Sequence, residues 1–552
     1  MMNFKKIIFV ITSVLSINVY AQTQEEKNIE LPEITTVVSG ESIDVEKNAV
    51  LDFSTFIELP LESDSFLPVL PELETEDDKN YSAEKKTQAE KNIYVDSTIA
   101  FAWPLSFSDD FNIFKSSGKN PFSIKFHQQN INAFGNKTSI DGFFEDDTFL
   151  TGQKKINTKN FDFEFNGEYR NGKYGLQNQS ESFYNLSSQS FITSDYITWN
   201  LPLGFSLDFN FDGEIYSRFS GLRDSSASTL LDLEKKLSVL DLAPEFMAKW
   251  NSKKGFVEFY SGYDFETLFG ASSSENNILH RGEFYLDGGI KYTNDETYEV
   301  VLMALAGAAV GNFLGDNSVV PEFELSVASN VLLKNNRYMT INVSGGLQTY
   351  HDKVKEFEQT YKFTTGTQVF TESSDWFVSL ESLFPIYKWF NIQFNCDFKT
   401  SAFGNGLWQP LYNSSPALSG LYMFNQQERT ELSNQLVFGF VKDTMKITLE
   451  GYTQWMYVTP GTEPYSISLA FDWQSFSGRW GVLFEAKENL GENVDYIPVL
   501  NLTSFYRFNN SVRLSCNLND TIKLFMGETR NIVGTPYKLY CGNVTMLLQF
   551  MF

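Results

Sequence analysis

The sequence has no long hydrophobic run beyond its N-terminal segment. The longest apolar stretch after that segment, Val300 to Val310, is short and is interrupted by Gly307. A helix needs about 20 consecutive apolar residues to cross the hydrocarbon core of a bilayer. Membrane-spanning helices are therefore not expected, and a membrane location would require strands closed into a barrel, because lipid offers no partner to unpaired backbone amides.

Basic residues and cysteines are also scarce. Lys and Arg number 43 against 69 Asp and Glu, which gives a formal net charge of −26. Nucleic acid is not an expected partner, because a phosphate-binding surface needs an excess of positive charge. The three cysteines, Cys396, Cys516 and Cys541, match no metal-binding spacing. The sequence leaves open whether Cys516 and Cys541 form a disulfide.

The residue types that carry catalysis are few and scattered. The three histidines, His127, His280 and His351, are isolated in the sequence, and none stands in a metal-ligand spacing. No motif brings a nucleophile together with a base and a carboxylate. The sequence is therefore not expected to encode an enzyme, or to bind a cofactor or a metal ion.

The N-terminus has the features of a secretory signal peptide. Lys5 and Lys6 precede an apolar run from Ile7 to Val19, and the small residue Ala21 stands at the expected cleavage position. The run is too short to span a bilayer as a helix. We predict that residues 1–21 are a signal peptide and that the mature chain is exported.

A different composition follows the signal peptide. Residues 22–96 are strongly acidic and contain four scattered prolines. Low hydrophobicity and high charge leave too little apolar surface to offset the entropy of ordering the chain. We predict that residues 22–96 form a disordered acidic linker in the periplasm.

Alternation with a period of two begins near residue 97 and continues to the C-terminus. Between Asn160 and Arg170, aromatic residues alternate with polar ones, and the same pattern recurs in several later segments. The chain contains 52 Phe and 26 Tyr, yet its mean hydropathy is only −0.24. This pattern is typical of strands with one face in lipid and the other in water. We predict that residues 97–552 form an all-β, transmembrane antiparallel β-barrel of about 16–22 strands.

Turn residues and acidic strand positions indicate how such a barrel would be arranged. Arg170 to Lys173 contains an Asn-Gly pair and is predicted to be a hairpin turn. Charged side chains on alternating strands are expected to line a polar lumen, because they are costly in lipid. An acidic lumen would favour cations. The candidate lumen-facing residues are Asp162, Glu164, Asp208, Asp212 and Asp397.

A long connection and the closing strand complete the predicted barrel. Residues 402–429 are predicted to be a long extracellular loop with the surface aromatics Trp408, Tyr412 and Tyr422. The final segment alternates up to Phe550 and Phe552, and it resembles the C-terminal recognition signal of outer-membrane barrels. That resemblance implies that the barrel-assembly machinery and outer-membrane lipid are partners of this chain.

A short β-prone patch interrupts the acidic linker. It resembles the coupling box of TonB-dependent transporters, and the final hairpin is similar to the closing segment of their barrels. The resemblance implies a TonB-like periplasmic partner. The linker is too short for the globular plug of such transporters, so the expectation is a plug-less barrel of related type. The candidate coupling box consists of Glu33, Ile34, Thr35, Thr36, Val37 and Val38.

These observations favour a channel or transporter for small solutes in the outer membrane of a diderm, Gram-negative-type bacterium. Polar strand faces would line the pore, and long extracellular loops would set access to it. The alternative is a surface binding protein or adhesin that the barrel merely anchors, with the aromatic residues of 402–429 engaging a partner. The sequence does not identify the solute.

Overall fold

The computed structural model describes residues 93–552 apart from several connections. Among the described residues, no helix is both long enough and apolar enough to cross a membrane. The residues outside the description are 1–92, 104–105, 116–119, 135–142, 159, 178, 180–182, 223–234, 270–277, 295–297, 312–318, 334–336, 362–371, 405, 414–420, 456–463, 492–494 and 533–536.

The described chain is almost entirely strand. Two short helices, α1 (Val354–Thr360) and α2 (Thr521–Met526), lie in connections between strands. The strands are β1 Tyr94–Trp103, β2 Ser106–Lys115, β3 Phe122–Phe134, β4 Phe143–Asn157, β5 Phe161–Gly175, β6 Phe183–Asn200, β7 Phe205–Leu222, β8 Lys235–Ser252, β9 Gly255–Phe269, β10 Ile278–Asn294, β11 Tyr298–Gly311, β12 Val319–Leu332, β13 Tyr338–Tyr350, β14 Ser373–Tyr387, β15 Phe390–Ser401, β16 Leu407–Asn413, β17 Leu421–Gln427, β18 Thr430–Lys442, β19 Met445–Trp455, β20 Tyr465–Gln474, β21 Trp480–Leu490, β22 Val499–Arg507, β23 Val512–Asn519 and β24 Asn543–Met551.

Twenty-two of these strands form one closed antiparallel sheet. Each strand pairs with its neighbours in the chain, except that β15 pairs with β18 because β16 and β17 form a separate hairpin. The last strand, β24, pairs with β1, and the backbones of Val95 and Phe552 exchange two hydrogen bonds. Closure leaves no free sheet edge. The prediction of an all-β barrel with 16–22 strands is therefore confirmed, at 22 strands.

Strand β5 shows how the alternating sequence positions its side chains. Phe161, Phe165 and Tyr169 are exposed on the outer face, whereas Glu164 on the other face contacts Lys155 at 2.8 Å. The strand continues to Gly175, so the predicted hairpin turn at 170–173 is wrong. Asn171 and Lys173 follow Tyr169 on the outer face, which indicates that the strand extends beyond the apolar band.

Aromatic side chains form two belts around the outer face. Such belts mark the two levels at which a membrane barrel meets the lipid headgroups. One belt lies at the strand ends joined by short turns and includes Phe161, Trp199, Phe205, Trp250, Tyr292, Tyr387, Trp480 and Tyr506. The other lies at the opposite ends and includes Trp103, Phe107, Tyr263, Phe323, Trp376 and Trp455.

The connections differ between the two ends of the barrel. At the short-turn end, where β1 begins and β24 finishes, every connection has two to six residues. At the opposite, long-connection end, all connections except 104–105 have seven residues or more. Three of these are much longer than the rest, namely 351–372, 402–429 and 520–542. The sequence predicted the second of these but not the other two.

The connection 520–542 is held by its own ion pairs and hydrogen bonds. Its Lys523 Nζ lies 2.8 Å from a carboxylate oxygen of Asp495, and Arg530 forms hydrogen bonds to both carboxylate oxygens of Asp520. Cys541 is buried beside Arg530, whose backbone N–H donates to its Sγ. Cys396, Cys516 and Cys541 are all free thiols, so Cys516 and Cys541 are not bridged.

Candidate functional site

Two long connections fold back into the barrel lumen. Helix α1 belongs to the connection between β13 and β14, yet α1 and the preceding Lys353 contact β7, β8 and β9, several strands away along the wall. These contacts fall on the wall face that carries Glu214, Tyr216 and Arg218, whereas Ile215 on the opposite face is exposed. The described part of the connection therefore extends into the interior of the barrel near its long-connection end.

An apolar cluster in the lumen holds the two connections together. Leu268 and its neighbours on β7 and β8 supply the wall side of the cluster, α1 supplies Val354, and the β16–β17 hairpin supplies Trp408 and Phe424. Phe357 of α1 meets Phe424 edge to face, with ring centroids 4.9 Å apart. We call these residues the lumen cluster; its full set is Tyr216, Val239, Leu268, Val354, Trp408 and Phe424, with Phe357 and Tyr361 packed against it.

Ion pairs fix α1 and the residue before it to the wall. Lys353 Nζ lies 2.6 Å from Asp241 Oδ2 on β8, and Lys355 Nζ lies 2.8 Å from Glu214 Oε1 on β7. Arg218 donates to Glu358 Oε1 at 3.0 Å, and the hydroxyl of Tyr216 donates to the other oxygen of Glu358. Arg218 and Glu358 are both buried. Because a buried charge without its partner is strongly destabilising, this pair ties the position of α1 to β7.

Two further arginines bind at the C-terminal ends of the two connections, where the chain rejoins the barrel wall. Arg281 on β10 donates to Glu372 at 3.0 Å and to Thr349 at 2.8 Å. Arg429, which ends the second connection, donates at 2.8 Å to Asp375 at the start of β14. The two connections also touch directly, because the amide of Gln426 donates to the backbone carbonyl of Glu372. The contacts of these two connections with the wall thus reach β7 to β10 and the start of β14.

The predicted lumen-facing carboxylates share the wall face opposite the exposed aromatics. Lys155 pairs with Glu164 at 2.8 Å, and Lys249 pairs with Asp208 at 3.3 Å. The other three accept hydrogen bonds from polar side chains: Asn200 donates to Asp162, Asn210 to Asp212, and Ser379 to Asp397. The structure does not bring these five residues together into one site, and their effect on ion preference stays a prediction.

The predicted surface aromatics are placed differently from the expectation. Trp408 is only 9% exposed and packs in the lumen cluster, so its prediction as an exposed surface residue is wrong. The reason is that the β16–β17 hairpin folds inward against α1. Tyr412 and Tyr422 are directly opposite each other in that hairpin. Trp408 therefore no longer supports the alternative of a surface binding protein.

The remaining predicted sites lie at or beyond the ends of the described chain. Phe550 on β24 and Phe552 directly after it have nearly parallel rings whose centroids are 6.2 Å apart. This places them at the seam between the last and first strands, and their role as an assembly signal stays a prediction. The candidate coupling box, from Glu33 to Val38, lies outside the described residues.

A buried carboxyl in the first connection makes its docking dependent on pH. Burial, together with repulsion from Glu356, raises the pKa of Asp352 to about 7. This pKa is above the ordinary value of 3.8, so the docked state favours the neutral carboxyl of Asp352. The stabilisation of docking by Asp352 is therefore complete at low pH and is lost as the pH rises from about 4 to about 7. We predict that Asp352→Asn slows hydrogen exchange of the α1 amides at about pH 8 and has a much smaller effect at about pH 4.5.

Comparing the variant with the wild-type protein at each pH removes the contribution of His351, whose pKa is lowered by burial to about 4. It also removes the pH dependence of intrinsic exchange. An equal effect of the substitution at both pH values would contradict the role of Asp352.

Comparisons with known proteins support the fold. No family model matches the sequence, and no curated protein matches it. Similar solved structures include the FrpB iron transporter from Neisseria meningitidis, with a TM-score of 0.61, 7% identity, and coverage of 84% of this chain and 82% of that one. The siderophore receptor PirA from Pseudomonas aeruginosa has a TM-score of 0.56 at 8% identity, covering 84% and 81% of the two chains.

The alcaligin outer-membrane receptor FauA from Bordetella pertussis has a TM-score of 0.51 at 9% identity, covering 84% of this chain and 76% of its own. At such low identities the similarity establishes the fold alone. Any plug would have to be formed by residues 1–92, which are outside the described part of the chain. The prediction of a plug-less barrel is therefore untested. The described residues have the 22-stranded barrel fold of TonB-dependent outer-membrane receptors, as the resemblance in the sequence implied.

Proposed function

We propose that this chain is an outer-membrane transporter for small solutes whose lumen is closed by its own connections until they move. The observation that carries this proposal is the buried Arg218–Glu358 pair, which fixes α1 across the interior of a barrel wide enough to conduct. A protein that used the barrel only as an anchor would have no need of an ion-paired closure inside it. The printed names of the structural neighbours, an iron transporter and a siderophore receptor, agree with transport.

The proposed orientation follows from the connections. Short turns of membrane barrels face the periplasm and long connections face outward. The α1 connection would then close the external mouth, and the wide acidic region around Asp208 and Asp212 would open towards the periplasm. Acidic walls favour cationic solutes or the cationic faces of larger ones. We propose that energy coupling acts through Glu33 to Val38.

Single-channel recording in planar bilayers tests the proposal. The purified wild-type protein is expected to give small or rare conductance steps that are cation-selective, because the lumen is occupied and acidic. Exchanging Asp208 and Asp212 for Asn should lower the cation preference without changing the closed state. Permanent silence, even in a variant lacking the α1 connection, would show that the barrel is an anchor.

A further inference from the structure

The outer wall has a depression near its short-turn end. Its volume is about 740 Å³. Five of the residues of β2 to β5 that line it have outward-facing side chains, namely Lys115, Phe122, Ile124, Lys154 and Phe165, and Gly152 forms part of the floor. Ser123 and Gln153 also border it, but their side chains belong to the inner face, where they donate to Asn112 and Glu164.

One glycine accounts for the depression. Gly152 on β4 is paired with Gly167 on β5, but the ring of Phe165 lies 3.6 Å from a Cβ added at Gly167, so only the Gly152 position is open. A Cβ added at Gly152 would meet no atom within 4 Å. The adjacent outer side chains, Ile124 and Phe165, are exposed and apolar. The wall therefore has an apolar hollow where other parts of the outer face carry large side chains.

Two lysines lie in one row at the short-turn edge of this hollow. Lys115 is opposite Phe122, and Phe122 is opposite Lys154, so the two lysines flank one aromatic residue in a row across three strands. Neighbouring strands are about 4.8 Å apart, which separates the two backbone positions by roughly 10 Å. Among the described residues, no ion pair includes either lysine. The next row towards the membrane centre contains Ile113, Ile124 and Gly152.

This arrangement matches an amphipathic ligand with a negative head and an apolar chain. Lysines near a membrane interface extend their ammonium groups to headgroup level, where anionic lipids attract them. The hollow continues from these lysines into the apolar band and opens to the bilayer rather than to water. We propose that β2 to β5 form a binding site for an anionic glycerophospholipid, with its phosphate between Lys115 and Lys154 and an acyl chain over Gly152.

Native mass spectrometry of the full-length protein, titrated with phosphatidylglycerol, tests this site. The double variant Lys115→Gln/Lys154→Gln is expected to weaken the tightest binding step by roughly tenfold or more, since both attractive charges are lost. Gly152→Leu should weaken it as well while retaining both lysines, because the leucine side chain fills the hollow. The double variant decides the question on its own if Gly152→Leu fails to fold.

Matched controls come from the far side of the barrel. Lys442 is an exposed lysine at the short-turn end of β18, and Gly451 is an outward glycine on β19 with no atom within 4 Å of an added Cβ. Lys442→Gln and Gly451→Leu should leave the tightest step unchanged. Equal losses in these controls would indicate a non-specific lipid shell and overturn the proposal. Full displacement of the lipid by inorganic phosphate, or equal affinity for phosphatidylcholine, would overturn it too.

Discussion

Replacing residues 352–371 with a short Gly-Ser linker is expected to raise single-channel conductance several-fold. The replacement removes α1 from the lumen, and the lumen cluster then loses Val354 together with the packed rings of Phe357 and Tyr361. The barrel wall should tolerate the change, because Tyr350 and Ser373 are paired directly across β13 and β14. Two strands in that register can be joined by a loop of about two to five residues.

The wall of this variant must be shown to be intact. Its β content and its unfolding midpoint in denaturant should match those of the wild-type protein within a small margin, since the sheet pairing is unchanged. Conductance that stays at the wild-type level in an intact barrel would mean that α1 does not limit the pore. In that case another element, such as the β16–β17 hairpin or the connection 520–542, would limit it.

The barrel could be predicted because each strand carries its own alternating pattern of apolar and polar residues. Alternation along β5 and β24 records which face of each strand meets lipid, and closure follows from the need to pair every backbone amide. The strand ends were less predictable. At Asn171 and Gly172 the outer face leaves the apolar band, so the alternating signal stops and turn-forming residues appear, while the hydrogen-bonded ladder continues to Gly175.

The packing of α1 inside the barrel was not predictable, because its cause is distant in the sequence. Arg218 and Glu358 are separated by 140 residues, and a polar residue on an inner wall face looks the same whether it meets water or a folded connection. A local signal for α1 did exist. Val354, Phe357 and Tyr361 recur at helical spacing within an otherwise polar connection. That spacing predicts a helix with one apolar face, but not the wall against which this face packs.

The Arg218–Glu358 pair is expected to be required for docking of α1 against β7. Arg218→Met leaves the Glu358 carboxylate buried without its charge partner, which typically costs about 3–5 kcal/mol. We expect this cost to appear as a loss of docking of α1, with hydrogen exchange of its amides accelerated by roughly a hundredfold or more. The open fraction in bilayer recordings should increase in parallel. The barrel strands should keep their protection, because the wall does not depend on this pair.

A second substitution separates the charge from the packing. In Arg218→Met/Glu358→Leu no buried charge is left unpaired, and exchanging a buried pair for apolar side chains is often close to neutral. Docking should therefore recover in part, because the buried Tyr216 hydroxyl still lacks the acceptor that Glu358 provided. Lys291→Met is the matched control. Lys291 pairs with Glu299 at 2.8 Å, but their side chains are 41% and 31% exposed, and such pairs contribute less than about 1 kcal/mol. If the single and double variants are equally open, Arg218 holds α1 by its bulk and the charge pair has no part in closing the lumen.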